Sequence, residues 1–219
     1  RIGYTGTGLY YLPQWTLKQA REVQELLFAD FDGRRYDELC SELAITKDTA
    51  FEQNKKVSAL SDGNRTKLML AGVLSRQTDL LILDEPASPL DPLMRDKLCD
   101  IIRSYLASAE GERSVIFSTH NIADMEAVTD YAIIIEHGEI VEQGFVEDLK
   151  EKYIVIKGES KDAEAARKVL YSFSSNNYGF EGLCLAERLD ELAGLDISTE
   201  CPSLSQIAIA VMKNNTVLR

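Results

Sequence analysis

The sequence predicts an α/β fold in which helices wrap a parallel sheet. Three observations carry that expectation. Leu80-Leu81-Ile82-Leu83 is apolar at every position, as suits a parallel strand buried on both faces, and it runs straight into Asp84-Glu85-Pro86. Val115-Ile116-Phe117 is a second such run, ending in the polar cluster Ser118-Thr119-His120. The stretches between and after these runs have helical period, so the order is strand, helix, strand, helix, strand.

Composition narrows the class. The 219 residues give room for one large domain, or for one domain and a small one, and 45% apolar content supports a sizeable core. A net charge of −12 argues against a partner with a phosphate backbone, so no nucleic acid is expected. Cys40, Cys99, Cys184 and Cys201 are far apart with no CxxC, which fits a reducing cytosol better than a disulfide or zinc framework. No apolar run approaches the length of a membrane span, and no signal-peptide pattern is read. Arg1-Ile2-Gly3-Tyr4 reads as the middle of a strand-to-loop passage, which suggests that N-terminal sequence lies upstream.

Residues 5–15 read as a loop carrying Tyr10, Tyr11 and Trp15, aromatics that either anchor the loop to its own domain or meet a partner. Thr16-x-x-Gln19 has capping-box spacing and opens a helix whose apolar positions Ala20, Val23, Leu26 and Leu27 hold period to about Phe31. Asp32-Gly33 breaks it. A second helix places Tyr36, Leu39, Cys40 and Leu43 on one face, and the polar stretch from Thr46 to Lys56 leads out. Leu60-Ser61-Asp62-Gly63-Asn64-Arg65 then starts a helix carrying Leu68, Leu70, Ala71, Val73 and Leu74. Ser61 is a good N-cap, and a helix start with a glycine in its first turn can also receive an anion. After the Asp84 strand, Asp91-Pro92 caps a helix with Leu93, Leu98, Ile101, Ile102, Tyr105 and Leu106, stopped at Gly111. A helix with Ile122, Met125 and Val128 follows His120. Ala132 to Gln143 reads as a hairpin turning at His137-Gly138, with His137 solvated. In the tail, Tyr153 to Lys157 alternates like a strand, Asp162 to Phe173 reads as a helix, and Ser203-x-x-Gln206 caps a last helix.

Two strand ends thus deliver Asp84, Glu85 and His120 to the carboxyl edge of a sheet, where open α/β folds bind ligands. His120 is the better candidate of only two histidines, because its strand lies one crossover from the acidic one.

These stretches, in this order, resemble the second part of an ABC-transporter ATPase subunit. Leu60 to Asn64 resembles the signature LSGGQ, with Asp for the first Gly and Asn for Gln; Leu80 to Glu85 resembles Walker B. Ser88-Pro89-Leu90-Asp91 resembles the D-loop, Ser118-Thr119-His120 the H-switch, and Gly138 to Gly144 the hairpin that closes the ATPase core. The match covers about residues 1–150 and is similar in detail to bacterial ABC-2-type exporter ATPases, down to Pro202 to Ile207 in the tail. Two departures stand out. Ungapped counting puts Thr7 where the family has its loop glutamine, with Gln14 too far along. No GxxxxGK[ST] phosphate-binding loop is present: none of the 13 glycines is followed by lysine.

The resemblance implies a P-loop-NTPase-like parallel core over 1–150, with an inserted helical subdomain at about 16–78 and a small C-terminal α/β accessory region over 151–219. It implies ATP and Mg²⁺ as ligands. Glu85 and His120 would be catalytic and Asp84 the metal ligand. Ser61, Gly63, Asn64, Asp91 and Thr7 would contact nucleotide, the signature residues doing so across a dimer. The implied partners are a second ATPase subunit, identical or not, and an integral membrane permease, with the chain cytoplasmic and peripheral to the inner face of the cell membrane. A non-hydrolysing subunit that only lends its signature to a partner's P-loop is the rival expectation. A chromosome or repair ATPase would need a long coiled-coil insertion, and no sustained heptad run occurs.

Overall fold

A computed structural model describes residues 1–219 except 7, 9, 46–53, 109–111 and 218–219. The stop expected at Gly111, most of the polar stretch after Thr46, and Thr7 itself lie outside the described residues. The chain divides into two compact units, Arg1–Val128 and Thr129–Arg219.

In the first unit, β1 (Ile2–Thr5), β2 (Leu80–Asp84) and β3 (Ser114–Ser118) form a parallel sheet in the order β1-β2-β3. The acidic strand is therefore central. Its register sets Tyr4, Ile82 and Ile116 in one row and Asp84 opposite Ser118. Helices α1 (Leu17–Leu27), α2 (Gly33–Glu42) and α3 (Asp62–Leu74) lie between β1 and β2, and α4 (Pro92–Ala107) joins β2 to β3. A short α5 (Ile122–Met125) and a 3₁₀ turn close the unit. The expected α/β class with a parallel sheet is what forms.

Local chemistry explains the helix starts. Thr16 Oγ1 accepts the Gln19 N–H at 3.1 Å while Gln19 Oε1 accepts the Thr16 N–H at 2.9 Å, a complete capping box. Asp32 caps α2 by accepting the N–H groups of Arg34 and Arg35. Helix α1 departs from expectation at its end. It stops at Leu27 rather than Phe31, and Leu26 and Leu27 are 84% and 65% exposed. Its buried stripe is Leu17, Ala20 and Gln24. Gln24 can enter the core because its amide donates to the buried Tyr11 hydroxyl at 3.2 Å. Tyr11 is buried and Tyr10 and Trp15 pack on the same core, so these aromatics anchor the loop. Leu93, expected on the apolar face of α4, is exposed.

Strand β2 alternates in burial instead of being enclosed on both sides. On one face, Gly3 and Leu81 pack under Val73 of α3 so closely that a Cβ on Gly3 would lie 2.7 Å from that valine's side chain. The other face carries Ile2, Tyr4 and Ile116, all exposed; no described residue covers them.

The second unit begins with a hairpin, β4 (Tyr131–Glu136) and β5 (Glu139–Phe145), turning at His137 (φ 52°) and Gly138 (φ 80°) as a two-residue turn requires. His137 is exposed, as expected. After α6 (Val146–Lys152) come β6 (Tyr153–Glu159), β7 (Tyr171–Ser175), β8 (Gly179–Leu185) and β9 (Ile197–Glu200). They form an antiparallel sheet in the order β7-β8-β6-β9. The helix expected from Asp162 to Phe173 does not form. Only a 3₁₀ turn and a single helical turn, α7 (Ala163–Ala166), precede β7. Asn176 Oδ1 accepts the N–H groups of Tyr178 and Gly179, closing a turn that pairs β7 with β8, and Phe173 stacks on Phe180. Helix α8 (Leu204–Val217) starts where expected, with Ser203 and Gln206 bonded reciprocally. Helices α6 and α8 pack on the hairpin, which therefore groups with the tail instead of with residues 1–128. No helix among the described residues is long and apolar enough to cross a membrane.

Candidate active site

Glu85 follows β2 in the left-handed region at φ 49°, a conformation that costs a glutamate about 1–3 kcal/mol and that the following Pro86 disfavours further. Neighbours hold it there. The Glu85 N–H donates to Ser118 Oγ at 3.0 Å, and Ser118 Oγ donates to Asp84 Oδ1 at 2.6 Å. One serine therefore bridges both acidic residues, fixing the Asp84 carboxylate and the Glu85 backbone together. On the other side, Glu85 Oε1 accepts the His120 N–H at 3.0 Å and lies 2.8 Å from His120 Nδ1. Its second oxygen, Oε2, is buried with no hydrogen-bond partner among the described residues. A buried carboxylate oxygen left unmatched is costly, and such an exception calls for a missing partner. The His120 ring is 65% exposed, so it forms the open rim of this cluster.

Asp84, Glu85 and His120 are thus brought together as the sequence implies. Ser118 was not among the predicted site residues. The available signal was its place at the strand end opposite Asp84, which requires the pairing register and not the sequence alone.

Ser61, Gly63 and Asn64 form a second locus at the start of α3. Ser61 Oγ accepts the Asn64 N–H at 3.3 Å. Gly63 meets this chain's own loop: a Cβ there would lie 2.8 Å from the Pro89 carbonyl oxygen. The absence of a side chain at Gly63 thus also makes room for the Ser88–Asp91 loop of the same chain. Asp91 caps α4 by accepting the Met94 N–H at 3.1 Å. Arg65 secures the approach to α3, binding Asp62 at 2.9 Å and the Ser58 carbonyl at 3.1 Å.

Among the described residues, no group of three or more His, Cys, Asp or Glu gathers to hold a metal unaided. One oriented carboxylate beside an unmatched one suits Mg²⁺, which keeps several waters and takes only one or two carboxylates together with substrate phosphates.

Comparison with known proteins finds similar sequences and a similar fold. The family model described as "ABC transporter" matches residues 2–88. An uncharacterized ABC transporter ATP-binding protein of Bacillus subtilis is 29% identical over 146 residues, 67% of this chain and 48% of its own. An energy-coupling factor transporter ATP-binding protein of Lactobacillus gasseri is 28% identical over 76% of this chain and 61% of its own. A Nod factor export ATP-binding protein of Rhizobium etli is 28% identical over 65% of this chain and 44% of its own. The chain thus spans about half the length of the curated relatives it matches. A solved ATP-binding subunit of an ABC transporter superposes with a TM-score of 0.57 at 22% identity, covering 68% of this chain and 60% of that one, which is a likeness of fold.

Proposed function

We propose that this chain, which is similar to ABC transporter ATP-binding proteins and matches their family model over residues 2–88, is an ATP-binding subunit of that kind, and that Asp84, Glu85, Ser118 and His120 form the hydrolytic side of an ATPase site that drives a membrane permease. The observation that carries the reading is the unmatched Glu85 Oε2, an acceptor held at the carboxyl end of the central strand while Oε1 is occupied by His120.

In this reading Glu85 Oε2 accepts the proton of a water that attacks the γ-phosphate of ATP in line. His120 holds the carboxylate through its amide and ring, and the exposed edge of that ring meets the γ-phosphate. Asp84, oriented by Ser118, would hold Mg²⁺, which neutralises phosphate charge when bound. Ser61, Gly63 and Asn64 present the N-terminus of α3 to nucleotide on a second ATPase subunit, and Asp91 and Thr7 complete the nucleotide contacts. ATP then joins two subunits and hydrolysis releases them, a two-state device able to move a permease. The chain would work in the cytoplasm against the inner face of the membrane. Likeness to a Nod factor export protein supports an exporter, and likeness to an energy-coupling factor protein supports pairing with a membrane component.

A specific observation keeps one rival. The 219 residues contain no GxxxxGK[ST], so a subunit that lends its signature to a partner's phosphate loop without hydrolysing ATP itself has a physical basis. Glu85→Gln separates the two in the assembled transporter ATPase. The amide cannot take the water's proton, so ATP binding should persist while steady-state phosphate release falls about 10²–10⁴-fold. Release within about threefold of the parent would assign hydrolysis to another subunit and favour the rival.

A further inference from the structure

We propose that Arg95 is a positioning residue that locks the loop after Glu85 to the segment carrying His120, so that both sides of the site keep one register. Its mechanistic weight rests on the catalytic reading of Glu85 and His120; its structural content does not.

Arg95 lies in the first turn of α4. Its Nε donates to the Leu90 carbonyl at 2.8 Å, and its Nη1 donates to Asp124 Oδ2 at 2.6 Å. Both side chains are mostly buried, 24% and 29% exposed. The two acceptors belong to different parts of the chain. Leu90 sits in the loop leaving Glu85, where the Ser88 N–H donates to the Glu85 carbonyl and the Leu90 N–H to the Ala87 carbonyl. Asp124 sits on α5, where its own N–H donates to the carbonyl of Asn121, the neighbour of His120. Cys99 also donates to the Asp124 carbonyl, fixing α5 against α4.

A guanidinium can serve both acceptors at once because its donors point along fixed, divergent directions; an ammonium offers one point charge. Loss of Arg95 would free the Leu90 carbonyl and leave a half-buried Asp124 carboxylate uncompensated. The same loop also meets the start of α3, where Gly63 lies close to the Pro89 carbonyl. A displacement at the start of α3 therefore reaches Pro89 and Leu90 first, and Arg95 is the polar link from there to α5 and His120.

The His120 amide, which donates to Glu85 Oε1, reports the outcome in the 219-residue protein. Amide hydrogen exchange followed by NMR should show His120 exchanging about tenfold faster in Arg95→Met and in Arg95→Lys, the scale of losing one charge-assisted restraint. The Leu98 and Ile102 amides of α4 and the His137 amide should keep their rates. Arg103→Met, which removes a surface pair with Asp100 and a bond to the Ala127 carbonyl beyond α5 but touches neither Leu90 nor Asp124, should leave His120 unchanged. Gly63→Ala should shift the amide resonances of both Leu90 and His120 in the parent, but only Leu90 in the Arg95→Met background. An unaltered His120 rate in Arg95→Met, an equal acceleration at Leu98, or a Gly63→Ala shift that reaches His120 without Arg95 would each overturn the proposal. None of these readouts needs ATP turnover, so failure here is distinct from failure of the catalytic reading.

Discussion

Glu85 shows how the residue scale sets the chemistry. A glutamate in the left-handed region, before a proline, persists only because Ser118 and His120 hold its backbone and one carboxylate oxygen. The type of residue at this place is readable from Asp84-Glu85-Pro86. Its strain and its serine clamp are not, because both depend on a strand thirty-odd residues away arriving in one register. Thr5 offers a contrasting case. It is fully buried at the end of β1, and its hydroxyl has no partner among the described residues. Replacing threonine by valine normally removes a satisfied hydroxyl, but here it removes an unmatched one. Thr5→Val is expected to raise unfolding free energy by about 1 kcal/mol, seen as a higher urea midpoint at constant slope. A loss of stability would show that the hydroxyl is bonded in solution and that the core around β1 is more polar than it looks.

At the scale of elements, caps were legible and packing faces less so. Thr16-x-x-Gln19, Ser61, Asp91-Pro92 and Ser203-x-x-Gln206 all open helices where their spacing says, because a cap is a local bond within three residues. Leu26 and Leu27 misled because periodicity counts apolar residues, whereas burial on α1 follows Gln24, whose amide N–H reaches a distant tyrosine hydroxyl while its Oε1 has no partner among the described residues. The missed strand β7 has a related cause. Residues 162–173 can be read as helical in isolation, yet Tyr171 onward is drawn into a sheet by pairing with β8 and by the Asn176 turn. The cap of α3 carries a prediction of its own. Ser61→Ala removes the acceptor of the Asn64 N–H and should cost about 1 kcal/mol of stability, while Ser61→Arg should additionally abolish ATP-driven pairing of subunits with little change in ATP binding by each. Nucleotide affinity and dimerisation would be measured separately. Equal loss of both in Ser61→Arg would mean that the α3 terminus serves its own chain's nucleotide.

Over the whole molecule, the sheet of residues 1–128 presents its acidic cluster and a face bearing Ile2, Tyr4 and Ile116 that no described residue covers. The two-sided burial read from Leu80 to Leu83 is half realised, since only the α3 and α4 side is packed. In the proposed reading, the chain would supply the water and metal side of a nucleotide site: Glu85 Oε2 as acceptor, Asp84 as an oriented carboxylate, His120 at the rim. What the 219 residues do not encode is a glycine-rich cradle with its lysine, the usual source of phosphate affinity. Two carboxylates facing a tetra-anionic ligand repel it unless Mg²⁺ and separate phosphate donors intervene. Titration calorimetry of the 219-residue protein with MgATP tests this division of labour most directly. The expected dissociation constant is on the order of millimolar or weaker, equivalent to at most ~4 kcal/mol of binding free energy. A micromolar, one-to-one isotherm would contradict it, showing that another segment of these residues grips the phosphates.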